Sequence, residues 1–529
     1  MITIPHTLIS EDMMRLNLDD YRDKVMGCWL GKNVGGTFGA PFEWKRQIND
    51  VDFYVQDDLS GEPWPNDDLD IQLLWLIAME EMGIDIDTQR LAEYWCTYVT
   101  PHWAEYGTAK INMRQGLMPP LSGSTNNAFK HSCGAFIRSE IWACIAPGLP
   151  ALAASYAAKD AALDHGDGEG SFAEIFMAAM ESAAFVVQDL RSLINIGLSY
   201  IPPDCGVAGA IRTTLDCVDE GRDWKETRNE ILRKHRGATH MGNPSNTSEE
   251  DRARGFDEGQ IGYDVPSNIA LTLLALLDGG ADFGRVQQTA VNCGEDTDCT
   301  AATSGSVWGI IHGANDIPER WIEPIGHGIK TVVLNKGELG FFGNQIPQTV
   351  DELTERTERI ARQILMQHRA TQMISERPTD LADLSAEQLE SEDQGAAIRA
   401  ELAGPRFEFD LFTIDVNYGD GGPFISPGIP KDLTVTIHNT YKTQANLSLH
   451  WFLPDGWTVQ PSADGYALSF PQHMAEPVEK TYRFRAPEIS RATNRAAFQI
   501  TCEGRPTVML VPIVLLAGER DLDADIPDA

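Results

Sequence analysis

The stretch Asn292-Cys-Gly-Glu-Asp-Thr-Asp-Cys-Thr-Ala-Ala-Thr-Ser-Gly-Ser-Val-Trp-Gly-Ile-Ile-His-Gly313 decides how the rest of the chain is read. It sets Glu295, Asp296 and Asp298 close together and then runs into Ala301, Ala302, Ser304, Gly305, Ser306 and Gly309. That composition predicts a buried helix with one close-packing side. Carboxylates at i and i+2, beside a glycine and at a helix start, aim hard oxygen atoms at one point. Such a set suits magnesium, calcium or manganese better than zinc. The competing reading is an acidic first turn that satisfies the helix dipole. Capping accounts for one or two acids, but not readily for acids set in a helix this rich in small residues.

Two stretches upstream share the pattern. Residues from Asp20 to about Val34 read as a helix, with glycines at 27, 31, 35, 36 and 39 at helical spacings that let another helix or a ligand approach the backbone. Pro41 ends it, and Glu43 follows on an irregular segment. In Pro63-Trp-Pro-Asn-Asp-Asp-Leu-Asp70, Asn66 is placed as an N-cap, with Asp67, Asp68 and Asp70 in the first turn. Apolar residues at 71, 74, 75 and 78 predict one buried face. Three acids in one turn exceed what capping needs, and they repel unless a cation sits among them.

The 529 residues exceed one ordinary core, so two domains are expected. A hydrophobic content of 42% is that of a globular chain, and a formal charge of -36 speaks against nucleic acid or an anionic membrane as partner. The nine cysteines are scattered without a CxxC pair, which suits a reducing compartment and gives no zinc or disulfide framework. Met1 to Leu16 has no signal-peptide pattern, and no apolar run has membrane-span length. A cytoplasmic location is the expectation.

From 88 to 290 the pattern is helix after helix: 91–99, 135–144, 149–162, 172–190, 208–219, 224–235, 269–277 and 283–291. Arg138 is a candidate anion holder on a helix after Ser132-Cys-Gly-Ala135, with a structural ion pair as the alternative. His165, in the loop Asp164-His-Gly-Asp-Gly-Glu-Gly170, is a candidate substrate contact or a surface histidine. A last helix over 349–370 leads to a polar linker, 371–405. Beyond it, 433–439, 447–452, 481–485 and 496–501 alternate in period two, and 507–516 is a continuous apolar run. This reads as a β-sandwich over 406–517, with 518–529 as an acidic tail.

With these patches in place, the chain resembles the ADP-ribosylglycohydrolase family, which includes the dinitrogenase reductase-activating glycohydrolases. The resemblance rests on Gly39-Ala-Pro-Phe-Glu43, Asn66-Asp-Asp68, Asn292-Cys-Gly-Glu-Asp-Thr-Asp-Cys299 and Ile317-Pro-Glu-Arg-Trp321, in that order. It implies an all-α catalytic domain over 1–370 and a cleft holding one or two divalent ions, Mg2+ with Mn2+ or Ca2+ as alternatives. It also implies hydrolysis of a glycosyl bond in a small ADP-ribosyl-like substrate. Carried over by position, Asn66, Asp67, Asp68, Asp296 and Asp298 hold metal, and Glu43, with Asp67 and Asp296, does the catalytic work. Gly39, Ser132, Arg138 and His165 are the candidate substrate contacts.

Five departures stand out: Asn66 and Cys299 where threonines are usual, Glu295 for a glycine, Gly36 for an aspartate, and Ser132-Cys-Gly-Ala-Phe-Ile-Arg138 as only a loose echo of the usual Gly-Asn-Gly-x-x-Met-Arg segment. A changed substrate pocket follows, or a metal- and sugar-binding protein that has lost hydrolysis. Hydrolysis of another small sugar or nucleoside is a further alternative. The sandwich looks like the immunoglobulin-like modules appended to carbohydrate-active enzymes; a packing role is expected for it, or a homo-oligomer contact.

Overall fold

The structure is a computed structural model that describes residues 15–236, 262–336, 343–368, 374–381, 384–505 and 508–519. The expectations for most of Met1–Leu16 and for nearly all of the acidic tail lie outside these residues. A helical body is followed by two five-stranded sheets. No helix among the described residues is long and apolar enough to cross a membrane.

The body is organised around two helices, Leu18–Gly39 and Thr297–His312. Their glycines meet in opposite chain order. A Cβ on Gly27 would lie 2.6 Å from the Gly309 carbonyl oxygen, one on Gly31 2.1 Å from that of Gly305, and one on Gly35 2.2 Å from that of Ala301. The helices are therefore antiparallel with backbones in contact, an approach that side chains at these positions would prevent. The consequence is positional. The C-terminal end of the first helix, which leads to Glu43, lies beside the N-terminal end of the second, which carries Asp296 and Asp298. Thr297 ties the ends together by donating to the Gly39 carbonyl at 2.8 Å.

The third central element is the helix Asp67–Met82, capped by Asn66, whose side chain accepts from the Asp68 amide at 2.8 Å. It is buried on every side from Asp68 to Met79, not along one face as its apolar spacing predicts. Several expected helices move or divide. Residues 135–144 split into a 3-10 turn, Phe136–Arg138, and a short helix, Glu140–Ile145. Residues 172–190 become Glu169–Ala184, followed by Leu190–Ser199. Ala104–Gln115 is a helix that the sequence pattern did not reveal, because its apolar residues follow no clean face.

The segment 371–405 is not a free linker. Ile374–Ser375 pairs in parallel with Leu16–Asn17, and the helix Glu392–Ala400 follows. Leu389 and Ile398 are buried in the core of the helical body, and Arg399 donates to the Tyr200 carbonyl at 2.5 Å. Its polar composition reflects a helix that contributes only a narrow apolar strip.

The alternating segments form strands where expected, including Lys431–Asn439, Ala445–Phe452, Val478–Arg485, Thr493–Cys502 and Val508–Ala517. Trp451 of one sheet packs at 5.1 Å and 4.8 Å on Tyr482 and Phe484 of the other, so the sheets share one core as a sandwich. Leu117 and Leu121 of the helical body are buried in that core, and Arg495 donates to the Gln115 carbonyl at 2.8 Å.

Candidate metal centre

Three helix ends converge. The Leu18–Gly39 helix gives way to the turn Ala40–Phe42 and then Glu43; the other two ends bring Asp67 and Asp68, and Asp296 and Asp298. Glu43, Asp296 and Asp298 each offer a carboxylate oxygen within 4.8 Å of the others. Asp68, Asp298 and Cys299 form a second such trio, so Asp298 joins the two. The structure thus brings together four acids from three separate stretches of the sequence, with Asp67 as their electrostatic neighbour.

Their environment is unfavourable to charge. Asp68 is 1% exposed, and among the described residues neither of its carboxylate oxygens has a hydrogen-bond partner; Asp298 Oδ1 likewise has none among them. Burial first, and then Asp298, Asp67 and Asp68, push Glu43 up to about 9. Asp298 is pushed up to about 6 by burial and next by Asp67. Burial also raises Asp296 well above the carboxylate range, with Asp298 and Glu43 adding to it. Buried carboxylates are ordinarily paired or bind a metal, and this donor set of hard oxygens fits a divalent ion.

The neighbours explain the remaining sequence features. Asp70 is not part of the cluster, because its Oδ2 accepts from the Val332 and Val333 amides at 2.7 Å each. Asn66 uses its Oδ1 for the cap and turns Nδ2 toward Asp298 at 3.4 Å, so it stands as a cap and carboxylate neighbour where a metal ligand was expected. A Cβ on Gly36 would lie 2.6 Å from that Nδ2. The departures at 36 and 66 are therefore one spatial change, the asparagine amide occupying the room a side chain at 36 would need.

Glu295, next to Asp296 in sequence, is not a member of the cluster of converging ligand atoms. It is fully buried and held by Arg236 and by Arg46 at 3.5 Å, so its charge is balanced there. Its φ of 69° is the left-handed conformation that a glycine adopts freely.

The candidate substrate contacts lie deeper than expected. Gly39 serves helix packing, since a Cβ there would lie 2.3 Å from the Thr297 carbonyl oxygen. Arg138 is fully buried, with Asp160 at 3.0 Å and Asp164 at 2.7 Å. Its guanidinium is thus spent on two internal carboxylates and does not present itself to an anion. His165 is fully buried and not on the surface. Its Nδ1 lies 2.8 Å from Asp164 Oδ1 and its Nε2 3.0 Å from the Ser132 hydroxyl. Replacing Arg138 by Met is expected to destabilise the fold by about 3–5 kcal/mol, because two buried carboxylates lose their counter-charge. Denaturant unfolding measures this; unchanged stability with a raised KM would instead make Arg138 a substrate contact.

The structure adds residues that sequence reasoning missed. The Tyr106 hydroxyl donates to Asp67 Oδ2 at 3.2 Å, and burial, with Asp296 next, pushes the Cys133 thiol well above its ordinary range. Trp44, next to Glu43 and 46% exposed, lies 6.1 Å from the Tyr263 ring, which in turn lies 6.5 Å from Phe129. None of these carries a local signal; a tryptophan and a tyrosine 219 positions apart become neighbours only through the fold.

The family model for ADP-ribosylglycohydrolase matches residues 17–369, about two thirds of the chain. The protein belongs to the ADP-ribosylglycohydrolase family. The match covers all three helix ends of this ADP-ribosylglycohydrolase family member's acidic cluster and stops before the sandwich. No curated protein matches the chain. Among solved structures, the crystal structure of a FixG-related protein from Vibrio parahaemolyticus is similar over 21% of this chain and 98% of its own, at 11% identity and a TM-score of 0.17.

Proposed function

We propose that the protein is a divalent-metal-dependent glycohydrolase that cleaves an N- or O-glycosyl bond of an ADP-ribosyl-like or related glycosyl substrate. The observation that carries this reading is the set of unpartnered, buried oxygens of Asp68 and Asp298 beside Glu43 and Asp296. Asp67, Asp68, Asp296 and Asp298 would hold the cation. When bound, it supplies positive charge that orients sugar hydroxyls and water and makes the water more acidic. Glu43, at the more open edge of the cluster, takes the proton of the attacking water as the glycosyl bond opens through an oxocarbenium-like state. Tyr106 holds Asp67 in place, and the Trp44 and Tyr263 rings offer flat faces to a ring-bearing substrate.

The test is release of free sugar from ADP-ribosyl, nucleoside and glycoside substrates. Turnover is expected to vanish with EDTA and in the D296A variant, and to return with metal only for the wild type. Metal-independent turnover would sink the mechanism. Tight metal or sugar binding without turnover on any of these substrates would favour the binding-protein alternative.

A linked prediction concerns stability. Glu43 and Asp298 have folded-state values of about 9 and about 6, above the roughly 4 of an unfolded carboxyl. The metal-free fold therefore binds more protons than the unfolded chain. Their contribution to stability is full below about pH 4 and is lost as pH rises through about 6 and then about 9. Added metal should raise Tm, and the increment should grow across this window because binding displaces protons. A metal-induced shift that is flat with pH contradicts the assignment.

A further inference from the structure

We propose that Cys299 is a sulfur ligand in this cleft, which selects a thiophilic divalent ion of the Zn2+ or Co2+ class over Mg2+. The inference rests on the metal-cleft reading above and adds the class of ion. Asp68, Asp298 and Cys299 offer their ligand atoms within 4.8 Å of one another, so an ion held by the two carboxylates is within reach of the thiol. Both Asp68 oxygens and Asp298 Oδ1 are buried with no hydrogen-bond partner among the described residues, and Cys299 is itself only 8% exposed. The sulfur therefore faces the same enclosed space and not solvent. A family threonine at this position would place a hard hydroxyl there; sulfur is soft, a poor partner for Mg2+ and a good one for Zn2+, Co2+ and Cd2+.

The chemistry is a ligand exchange. The Cys299 S–H bond breaks, its proton leaves to solvent, and a sulfur–metal bond forms with no change of oxidation state. Cys133 also lies close by, 2% exposed, but its sulfur belongs to none of the three clusters of converging ligand atoms found among the described residues. That difference makes it the internal control.

The test uses the full chain, loaded with Co2+ and followed by near-ultraviolet absorption, with Cd2+ and Mg2+ affinities from calorimetry. The wild type is expected to show a sulfur-to-cobalt charge-transfer band that C133A keeps and that C299T and C299S both lose. Both Cys299 variants should also bind Cd2+ more weakly, on the order of tenfold or more, while holding Mg2+ at least as well. Two substitutions are used so that one misfolded variant does not decide the result, and circular dichroism checks each. Co2+ binding without the band, or a band that persists in C299T and C299S, overturns the sulfur ligand but leaves the carboxylate cleft standing. Failure of the wild type to bind any of the three ions overturns both.

Discussion

Asp68→Asn is expected to abolish metal-dependent turnover and, in the absence of metal, to make the protein more stable. The side chain is 1% exposed, and both its oxygens lack hydrogen-bond partners among the described residues. Burial raises it well above the carboxylate range; Lys32 is the cation that opposes this, while Asp298, Asp67 and Glu140 add repulsion. Lys32 is itself bonded to Glu140 at 2.7 Å, so its charge is shared. A carboxylate in such a place is costly, and a neutral amide of the same shape removes the charge without leaving a cavity. The gain should be about 1–3 kcal/mol, a rise of several degrees in Tm. It should be larger at alkaline than at mildly acidic pH, where the carboxyl is protonated anyway. Metal should then raise Tm strongly in the wild type and little in the variant. A D68N protein that is less stable without metal and still turns over would remove Asp68 from the site.

Gly35→Ala is expected to prevent folding or to destabilise the protein severely. The added Cβ would lie 2.2 Å from both the carbonyl carbon and oxygen of Ala301 and 2.4 Å from the Ala302 nitrogen. These are backbone atoms of a helix buried from Thr297 to Ile310, so no side chain can rotate away, and the helices must separate. Overpacking of this kind costs about 3 kcal/mol or more. Because Asp298 and Glu43 sit just past this contact, any folded remainder should also have weakened metal affinity. Gly209→Ala is the control. Its Cβ would meet only His235, at 3.8 Å, and replacing a helical glycine there should be neutral or stabilising by about 0.5–1 kcal/mol. Melting curves and size-exclusion profiles of the two variants separate the cases. Similar melting temperatures would mean that the two helices are not in backbone contact.

Much of the architecture was legible because its signals are local. The sandwich strands alternate in period two, so their register and burial follow from the pleat, and Lys431–Asn439 and Val508–Ala517 lie where the pattern puts them. The Asn66 cap is equally local, with the bonded atoms two residues apart. The segment 371–405 misled because composition reports the average exposure of a segment. A few inward residues, Leu389 and Ile398 among them, are enough to dock it. Arg138 and His165 misled for a related reason: a charged side chain looks available in sequence until its partners arrive from elsewhere in the fold.

The chain by itself determined the family, the helical and sandwich halves, and the acids that matter. Each is written in residues close together, as a cap, a periodicity or a short ordered motif. Only the tertiary structure decided which acids share a space. Asp70, two residues beyond the Asp67–Asp68 pair, is turned to the Val332 and Val333 amides, whereas Glu43 and Asp298, 255 positions apart, converge. It also decided that Glu295 is balanced by Arg46 and Arg236 and that Gly36 makes room for the Asn66 amide. The physical reason is the antiparallel contact of two glycine-lined helices: close backbone packing fixes which ends meet, and it is at those ends that the buried charge collects.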